Sequence, residues 1–328
     1  VFNVTLEEDT EFLEETVVIG YGVQRKSDLT GAVASVRAED LENRSVTDAA
    51  AALQGKTSGV QIINSSGAPG AGADIRVRGY SSNSGNIGPL LIVDGLKVDN
   101  IQYLDPTMIE SMEILKDAAS AAIYGAQAGN GVVLITTKTG KEGSAHITYN
   151  GRFTMQSLGK KADIFRAKDY IEYQTYIGNL NEDLLKTNGY DGQDTDWYDA
   201  VFQPSWSKQN GITFQGGNNK GHFFTSLNYF DNDGIVVGKK DVYHRLSAQI
   251  NADYNLFKWF NISTNNSFEK WDRKSVSNGY GSVLNSVVSI DPLTPPYISD
   301  IKNTPGGMQE HYAAGDPIPT DPNHNNDY

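Results

Sequence analysis

The sequence predicts a transmembrane β-barrel, about five of whose strands lie in this chain, preceded by a smaller mixed α/β domain. Three observations carry that prediction. After Gly143 the chain changes to period-two alternation, held in one register for as many as thirteen residues. The connections between the alternating segments run short and long in turn. Before Gly143, short apolar runs alternate with glycine-marked turns and capped helical stretches.

Residues 1–6 alternate as a short strand. Residues 7–15 carry six acidic side chains, Glu7, Glu8, Asp9, Glu11, Glu14 and Glu15, and read as a solvated, loose linker. Thr16-Val17-Val18-Ile19-Gly20-Tyr21-Gly22 is β-branched and closed by glycines; its ordinary role is a buried strand. Residues 31–36 read as a strand and 48–53 as a helix capped by Thr47. Val60-Gln61-Ile62-Ile63 and Ile75-Arg76-Val77-Arg78 read as strands on either side of the glycine-rich stretch 67–72. Leu90-Leu91-Ile92-Val93 runs into Asp94-Gly95, a hairpin-turn dipeptide. Asp105-Pro106 opens a helical turn, and Met112-Glu113-Ile114-Leu115 alternates. Asp117 caps a short alanine-rich helix that Gly125 stops, and residues 132–137 form a β-branched strand.

From 144 to 156 every even position is polar (Ser144, His146, Thr148, Asn150, Arg152, Thr154, Gln156) and every odd one is apolar or glycine. Residues 241–255 repeat the pattern, with Val242, Leu246, Ala248, Ile250, Ala252 and Tyr254 on one face and Tyr243, Arg245, Ser247, Gln249, Asn251 and Asp253 on the other. Residues 208–216, 222–232 and 258–270 are weaker strands of the same kind. The connections, 158–207, 217–221, 233–240, 256–257 and 271 onward, run long, short, medium, short, long. Short periplasmic turns and long extracellular loops give a transmembrane barrel that rhythm. Phe257, Trp259 and Phe260, beside the second short turn, then belong to an interfacial aromatic belt. A soluble β-sandwich also alternates, but strands this long with one wholly apolar face, forming only one sheet, argue against it. Five antiparallel strands leave both sheet edges unpaired in lipid, so the expected barrel is incomplete in this chain.

Composition removes several function classes. With 27 Lys and Arg against 40 Asp and Glu, the net charge is -13, which disfavours a nucleic-acid partner. There is no cysteine, and the five histidines lack metal-ligand spacing, so no metal and no cofactor are expected. Residues 67–72 lack the G-K-[ST] ending of a phosphate loop. Asp191, Asp194, Asp196 and Asp199 fail the spacing of a calcium loop. Catalytic residues are not expected either, because no nucleophile stands in a pattern with a base, and the chain does not read as an enzyme. No run of about 18 apolar residues is present that a membrane-spanning helix would need.

The glycine-punctuated middle resembles a known family. Ile75 to Gly79 with Arg76 and Arg78, then Pro89-Leu90-Leu91-Ile92-Val93-Asp94-Gly95, then Asp105-Pro106 through Glu110, Glu113, Lys116 and Asp117, resemble the plug of TonB-dependent receptors. Tyr124-Gly125-Ala126 and Gly129-Asn130-Gly131 leading into residues 132–138 continue the match. Val17-Val18-Ile19-Gly20-Tyr21-Gly22 and the following Lys26-Ser27-Asp28-Leu29-Thr30-Gly31-Ala32-Val33 resemble the SusC/RagA branch of Bacteroidetes, with support further on from Thr195-Asp196-Trp197.

The resemblance implies a large barrel, about 22 strands when complete, with a plug inside it. The domains are then 1–6, the last strand of a truncated carboxypeptidase-regulatory-like domain; 7–22, linker and TonB box; 23–143, plug; and 144–328, first barrel strands and extracellular loops. It implies TonB-driven import of nutrient oligosaccharide or peptide across the bacterial outer membrane, with the plug and N-terminus on the periplasmic side. The implied partners are TonB, a SusD-like lipoprotein and outer-membrane lipid, with a dimer of transporter–lipoprotein pairs as the assembly. A metal-chelate receptor without that lipoprotein is the alternative, and a passive adhesin would not need a TonB box. The TonB box falls on Glu15, Thr16, Val17, Val18, Ile19 and Gly20, expected as an unpaired segment to which TonB adds a strand. His146, Thr148, Asn150 and Arg152, with Arg245, Gln249 and Asn251, are the residues expected to face the lumen.

Overall fold

The computed structural model describes residues 16–19, 22–25, 33–42, 46, 48–79, 88–117, 121–187, 190, 192–276 and 279–296. The strand expected at 1–6, the linker at 7–15, Gly20, Thr47 and the start of the alanine-rich helix lie outside them. At the front, β1 (Thr16–Ile19) and β2 (Gly22–Arg25) form an antiparallel pair.

The α/β domain is built on β3 (Val33–Arg37), α1 (Ala38–Glu42), α2 (Ala49–Ala52), the hairpin-like pair β4 (Val60–Ile63) and β5 (Asp74–Val77), β6 (Leu90–Val93), β7 (Leu96–Val98), β8 (Ile109–Leu115) and β9 (Val132–Thr137). Its main sheet has the order β3-β8-β9-β6-β7, antiparallel except for the parallel pair β6 and β9. The central strands are covered on both faces, which continuous apolar runs allow. Ile114, Val133 and Ile135 pack with Leu41, Leu53 and Leu104 on one side. Their neighbours Leu115, Val132 and Leu134 pack with Ile92 and Ala128 on the other. The half-exposed alternation read at 112–115 is therefore corrected: all four residues are buried.

Local caps follow the expected chemistry with two shifts. Asp48 caps α2, not Thr47: its Oδ1 accepts the Ala50 N–H at 2.8 Å and its Oδ2 the Ala73 N–H at 2.9 Å, tying helix to loop. The alanine-rich segment ends in a 3-10 turn, Ala122–Tyr124, closed by Gly125 at φ 72°. Asp94 and Gly95, at φ 48° and 83°, make the tight β6–β7 turn.

The second unit is one antiparallel sheet of β10 (Gly143–Gln156), β11 (Ser205–Asn218), β12 (Gly221–Asp233), β13 (Val242–Phe257) and β14 (Phe260–Lys274), paired in chain order. Two-residue turns join β11 to β12 and β13 to β14, the second at 258–259, two positions later than the sequence suggests. The odd face of β10 and its continuation across the sheet are apolar and open, with Ile147, Phe153, Leu227 and Ile250 all exposed. Near the end that bears the long connections, that face carries a cross-strand row, Lys208, Asp231, His244 and Asp272. At the other end Phe257 and Trp259 stack with centroids 5.6 Å apart.

The long connections are folded. They contain α3 (Ala167–Tyr176), α4 (Glu182–Thr187), α5 (Trp197–Val201) and α6 (Gly279–Ser289), and Trp197, Tyr198 and Phe202 pack with Val236, Val283 and Val287. The Trp197 indole N–H donates to the Asp291 carbonyl at 2.8 Å, which ties the first long connection to the last.

Candidate functional site: the face between the α/β domain and the wall

Side chains of one parity on the wall reach the α/β domain. On β10, Arg152 Nη1 donates to the Val46 carbonyl at 2.8 Å and to Gln209 Oε1 at 3.2 Å. Gln209, on β11, donates through Nε2 to Asp105 Oδ2, while Asp105 Oδ1 accepts from the Thr107 N–H. Arg245, on β13, donates to the Gln102 carbonyl and lies 5.7 Å from the Phe230 ring centre. Three repeats of the pleat further along, Asn251 Nδ2 donates to Thr137 Oγ1 at 2.7 Å and to the Lys138 carbonyl at 2.8 Å. Gln249 Nε2 donates to Thr137 Oγ1 at 3.3 Å and to Asn251 Oδ1 at 2.7 Å. Buried polar groups are tolerated when they are bonded, and these bonds single out one docking register.

Two glycines bring the backbones close. A Cβ on Gly70, itself at φ 67°, would lie 2.5 Å from the Tyr243 ring, and one on Gly140 would lie 2.3 Å from the Phe223 backbone nitrogen. The stretch 67–72 thus has a packing role, which explains its composition without a phosphate. Beside the Arg245 contact a polar cavity of about 300 Å³ is lined by Asp48, Asp74, Arg76, Asn100 and Gln102. Burial pushes the Asp48 carboxyl above its ordinary value, against the lowering effect of the Ala73 and Ala50 N–H groups and the Arg245 charge.

The motif residues of the α/β domain occupy several distinct places. Asp94 accepts the Thr137 N–H at 2.9 Å and its hydroxyl at 2.6 Å. Lys116 Nζ donates to the Ser58 carbonyl at 2.7 Å, Asn130 to the Gly88 carbonyl at 3.4 Å, and Glu110 lies 3.5 Å from Lys141. Glu113 is buried in β8 and Tyr124 packs against the second core cluster. The Asp117 carbonyl accepts from the Ala121 N–H, and the Arg78 N–H donates to the Gly59 carbonyl. Arg78, Gly79, Gly95, Gly125 and Gly131 all have positive φ, so they shape turns. A Cβ on Gly131 would lie 3.0 Å from the Leu115 carbonyl. His146, Thr148 and Asn150 share the Arg152 face of β10 and are exposed.

The TonB-dependent receptor plug domain family matches residues 25–132. The chain is 36% identical over 313 residues to the TonB-dependent receptor SusC of Bacteroides thetaiotaomicron, covering 91% of this chain and 30% of that protein. It is 36% identical over 271 residues to a TonB-dependent receptor of Formosa agariphila, covering 80% of this chain and 26% of the other. Among solved structures, the RagAB peptide importer in its open-open state aligns with a TM-score of 0.73 at 30% identity, over 79% of this chain and 32% of that one. The chain belongs to the SusC/RagA type of TonB-dependent transporters. It spans about 30% of the length of the relatives it matches. It is accordingly an outer-membrane protein, with a plug and the first strands of a β-barrel wall.

One feature of this SusC-type chain departs from the sequence reading. The segment taken as an unpaired TonB box has one edge occupied: Thr16 pairs with Arg25 and Ile19 with Gly22. A two-residue connection after four β-branched and apolar residues favours that hairpin, and the second edge of β1 carries no strand among the described residues. In the loop, the aspartates considered for calcium are met by cationic side chains. Arg166 lies 2.9 Å from Asp194 and 3.1 Å from Asp196, and Lys161 lies 2.8 Å from Asp199; Asp191 is outside the described residues.

Thr137, Asp105 and Gln209 were missed as interface residues. The parity of β11 could have indicated Gln209, since Ser207, Gln209, Thr213 and Gln215 alternate with bulkier residues. Thr137 gave no signal, because a threonine ending a β-branched strand is unremarkable.

Proposed function

We propose that this chain is the front portion of a transporter that imports nutrient oligosaccharide or peptide across the outer membrane, driven by TonB and capped by a SusD-like lipoprotein. The observation that carries this reading is the specific hydrogen bonding between the plug and the inner face of three wall strands, β10, β11 and β13. A lumen blocked in that way opens only if work is done on the plug. The N-terminal β1 offers the handle: TonB adds a strand to its free edge, main chain to main chain. His146, Thr148, Asn150, Arg152, Arg245, Gln249 and Asn251 form the polar lining, of which the exposed members are available to cargo. The likeness to SusC and to a structure described as a peptide importer supports the glycan-or-peptide class.

The test is affinity purification of the full-length protein from detergent-solubilised outer membrane. Recovery of a stoichiometric SusD-like lipoprotein, in pairs of transporter and lipoprotein, supports the proposal, and ligand carried with it names the cargo. Recovery of an uncapped barrel that binds a metal chelate overturns it.

A further inference from the structure

The contacts between plug and wall are unevenly distributed along the plug. Thr137, at the end of β9, is the centre of a buried relay. Its hydroxyl donates to Asp94 at 2.6 Å and accepts from Asn251 at 2.7 Å, and Gln249 in turn accepts from the Ser267 hydroxyl of β14 at 2.7 Å. Thr137, Gln249 and Asn251 are each 1% exposed. Five residues separate β9 from β10, so this part of the plug is also tethered covalently to the wall, with a reach of at most about 18 Å. Within that tether Gly140 is pressed against the β12 backbone. β9 is central in its sheet, paired on both sides by β8 and β6. β3 differs on each count: among the described residues it is an edge strand that pairs only with β8, and it follows the N-terminal segment most closely of the plug's sheet strands.

We infer that the Asp94–Thr137–Asn251–Gln249 relay is a clamp that stays closed during import, so that a pull from the N-terminus displaces β3 and its helices while β6, β8 and β9 remain on the wall. Thr137, Asn251 and Gln249 are then positioning residues, and the path for cargo opens where β3 and its helices now lie. A pulled chain yields first at the edge strand. To release β9 it must break two strand ladders and leave buried amides unbonded. This inference rests on the TonB-driven reading above.

This sequence has no cysteine, and any in the remainder of the full-length transporter are first replaced by serine, so that single cysteines report on each part separately. Ser247→Cys replaces a side chain 2% exposed on the inner face of β13, and Val36→Cys one that is 2% exposed on β3. Each is placed in the full-length transporter, in cells grown on yeast extract, which supplies both peptides and glycans. A membrane-impermeant maleimide is then applied with and without a protonophore. The expected result is energy-dependent labelling at position 36, at least tenfold above the protonophore control, and none at 247. Adding Thr137→Val, which keeps the shape and removes the hydroxyl, makes position 247 label at least tenfold faster in energised cells. Energy-dependent labelling at 247 with Thr137 intact overturns the clamp, as does indifference to Thr137→Val. Labelling at neither site overturns the TonB-driven reading itself, and the clamp with it.

Discussion

The guanidinium of Arg152 lies 2.8 Å from the carbonyl oxygen of Val46, joining the first wall strand to the plug segment that leads into α2. Arg152→Ala removes the donor and leaves that carbonyl without it. The expected loss is about 1–3 kcal/mol in the local opening free energy of residues near Val46, read by hydrogen exchange on the full-length protein in detergent. Arg152→Lys keeps the charge and the donors on a head of different shape and reach, so it should fall between. Equal protection in all three proteins would show that the contact does not hold the plug.

Gly70 faces the Tyr243 ring with no room for a Cβ. Gly70→Ala should loosen the loop by roughly 1–3 kcal/mol, from overpacking and from the left-handed backbone together. Combining it with Tyr243→Ala relieves the overpacking and leaves the backbone cost. Non-additive exchange rates in this double-mutant cycle are the expected signature, and strict additivity would show that ring and loop do not meet.

Asp48 supplies a pH dependence with a definite sign. Burial raises its value in the folded plug, so folding takes up a proton between the ordinary and the raised value. Stability of the plug should therefore fall as pH rises through that window, above the ordinary carboxylate value, and then level off. Asp48→Asn should flatten this contribution, while losing one backbone acceptor at a cost of about 1–2 kcal/mol. A stability that rises through the same window in the native protein, and not in the variant, would contradict the assignment.

Thr16–Ile19 and Gly22–Arg25 can be separated by proline. Val18→Pro removes an N–H from β1 and is expected to abolish energy-dependent uptake. Val23→Pro disturbs only the partner strand, and because an isolated hairpin is marginal in water, uptake should stay within about twofold of normal. Loss of uptake with Val23→Pro alone would mean that the hairpin, and not β1, is what TonB engages.

Arg166 balances Asp194 and Asp196 at the exposed loop. Arg166→Ala should change overall stability by less than about 1 kcal/mol, since these groups are solvated. It should nevertheless speed proteolytic cleavage of the long connection between β10 and β11, because Asp194 and Asp196 then repel. Unchanged cleavage would assign the loop's order to the Trp197 cluster alone.

The sequence was most informative where a local rule acts without help from tertiary structure. The alternation of β10 and β13, the Asp94-Gly95 turn and the Asp105-Pro106 turn needed only neighbouring residues. Errors arose where two local rules competed: Thr47 and Asp48 are both good caps, and the contact to Ala73 that favours Asp48 comes from 25 positions away. Met112 to Leu115 looked one-sided because a helix layer and a second cluster covering opposite faces of one strand leave no local trace. The docking of Thr137 on Asn251 spans 114 positions and joins two units with different periodicities. No pattern within either unit indicates it. The β1–β2 pairing was legible in principle from its turn, but the acidic run before it suggested a segment held open.

The charged row that crosses the outer face at Lys208, Asp231, His244 and Asp272 fixes a distance. On β13 ten residues separate His244 from Tyr254, which is near the stacked Phe257 and Trp259. At a rise near 3.3 Å per residue and a strand tilt of about 40°, that interval is about 25 Å tall, the height of the apolar band in outer-membrane barrels. One step below the row stands Lys270, opposite Leu246, whose long stem can carry its ammonium up to the same level, and one step above it stand Met155 and Trp206, side chains suited to the interface. These four side chains and the aromatic pair therefore set the vertical position of the protein, and a lipid layer of a different thickness would have to adjust to them.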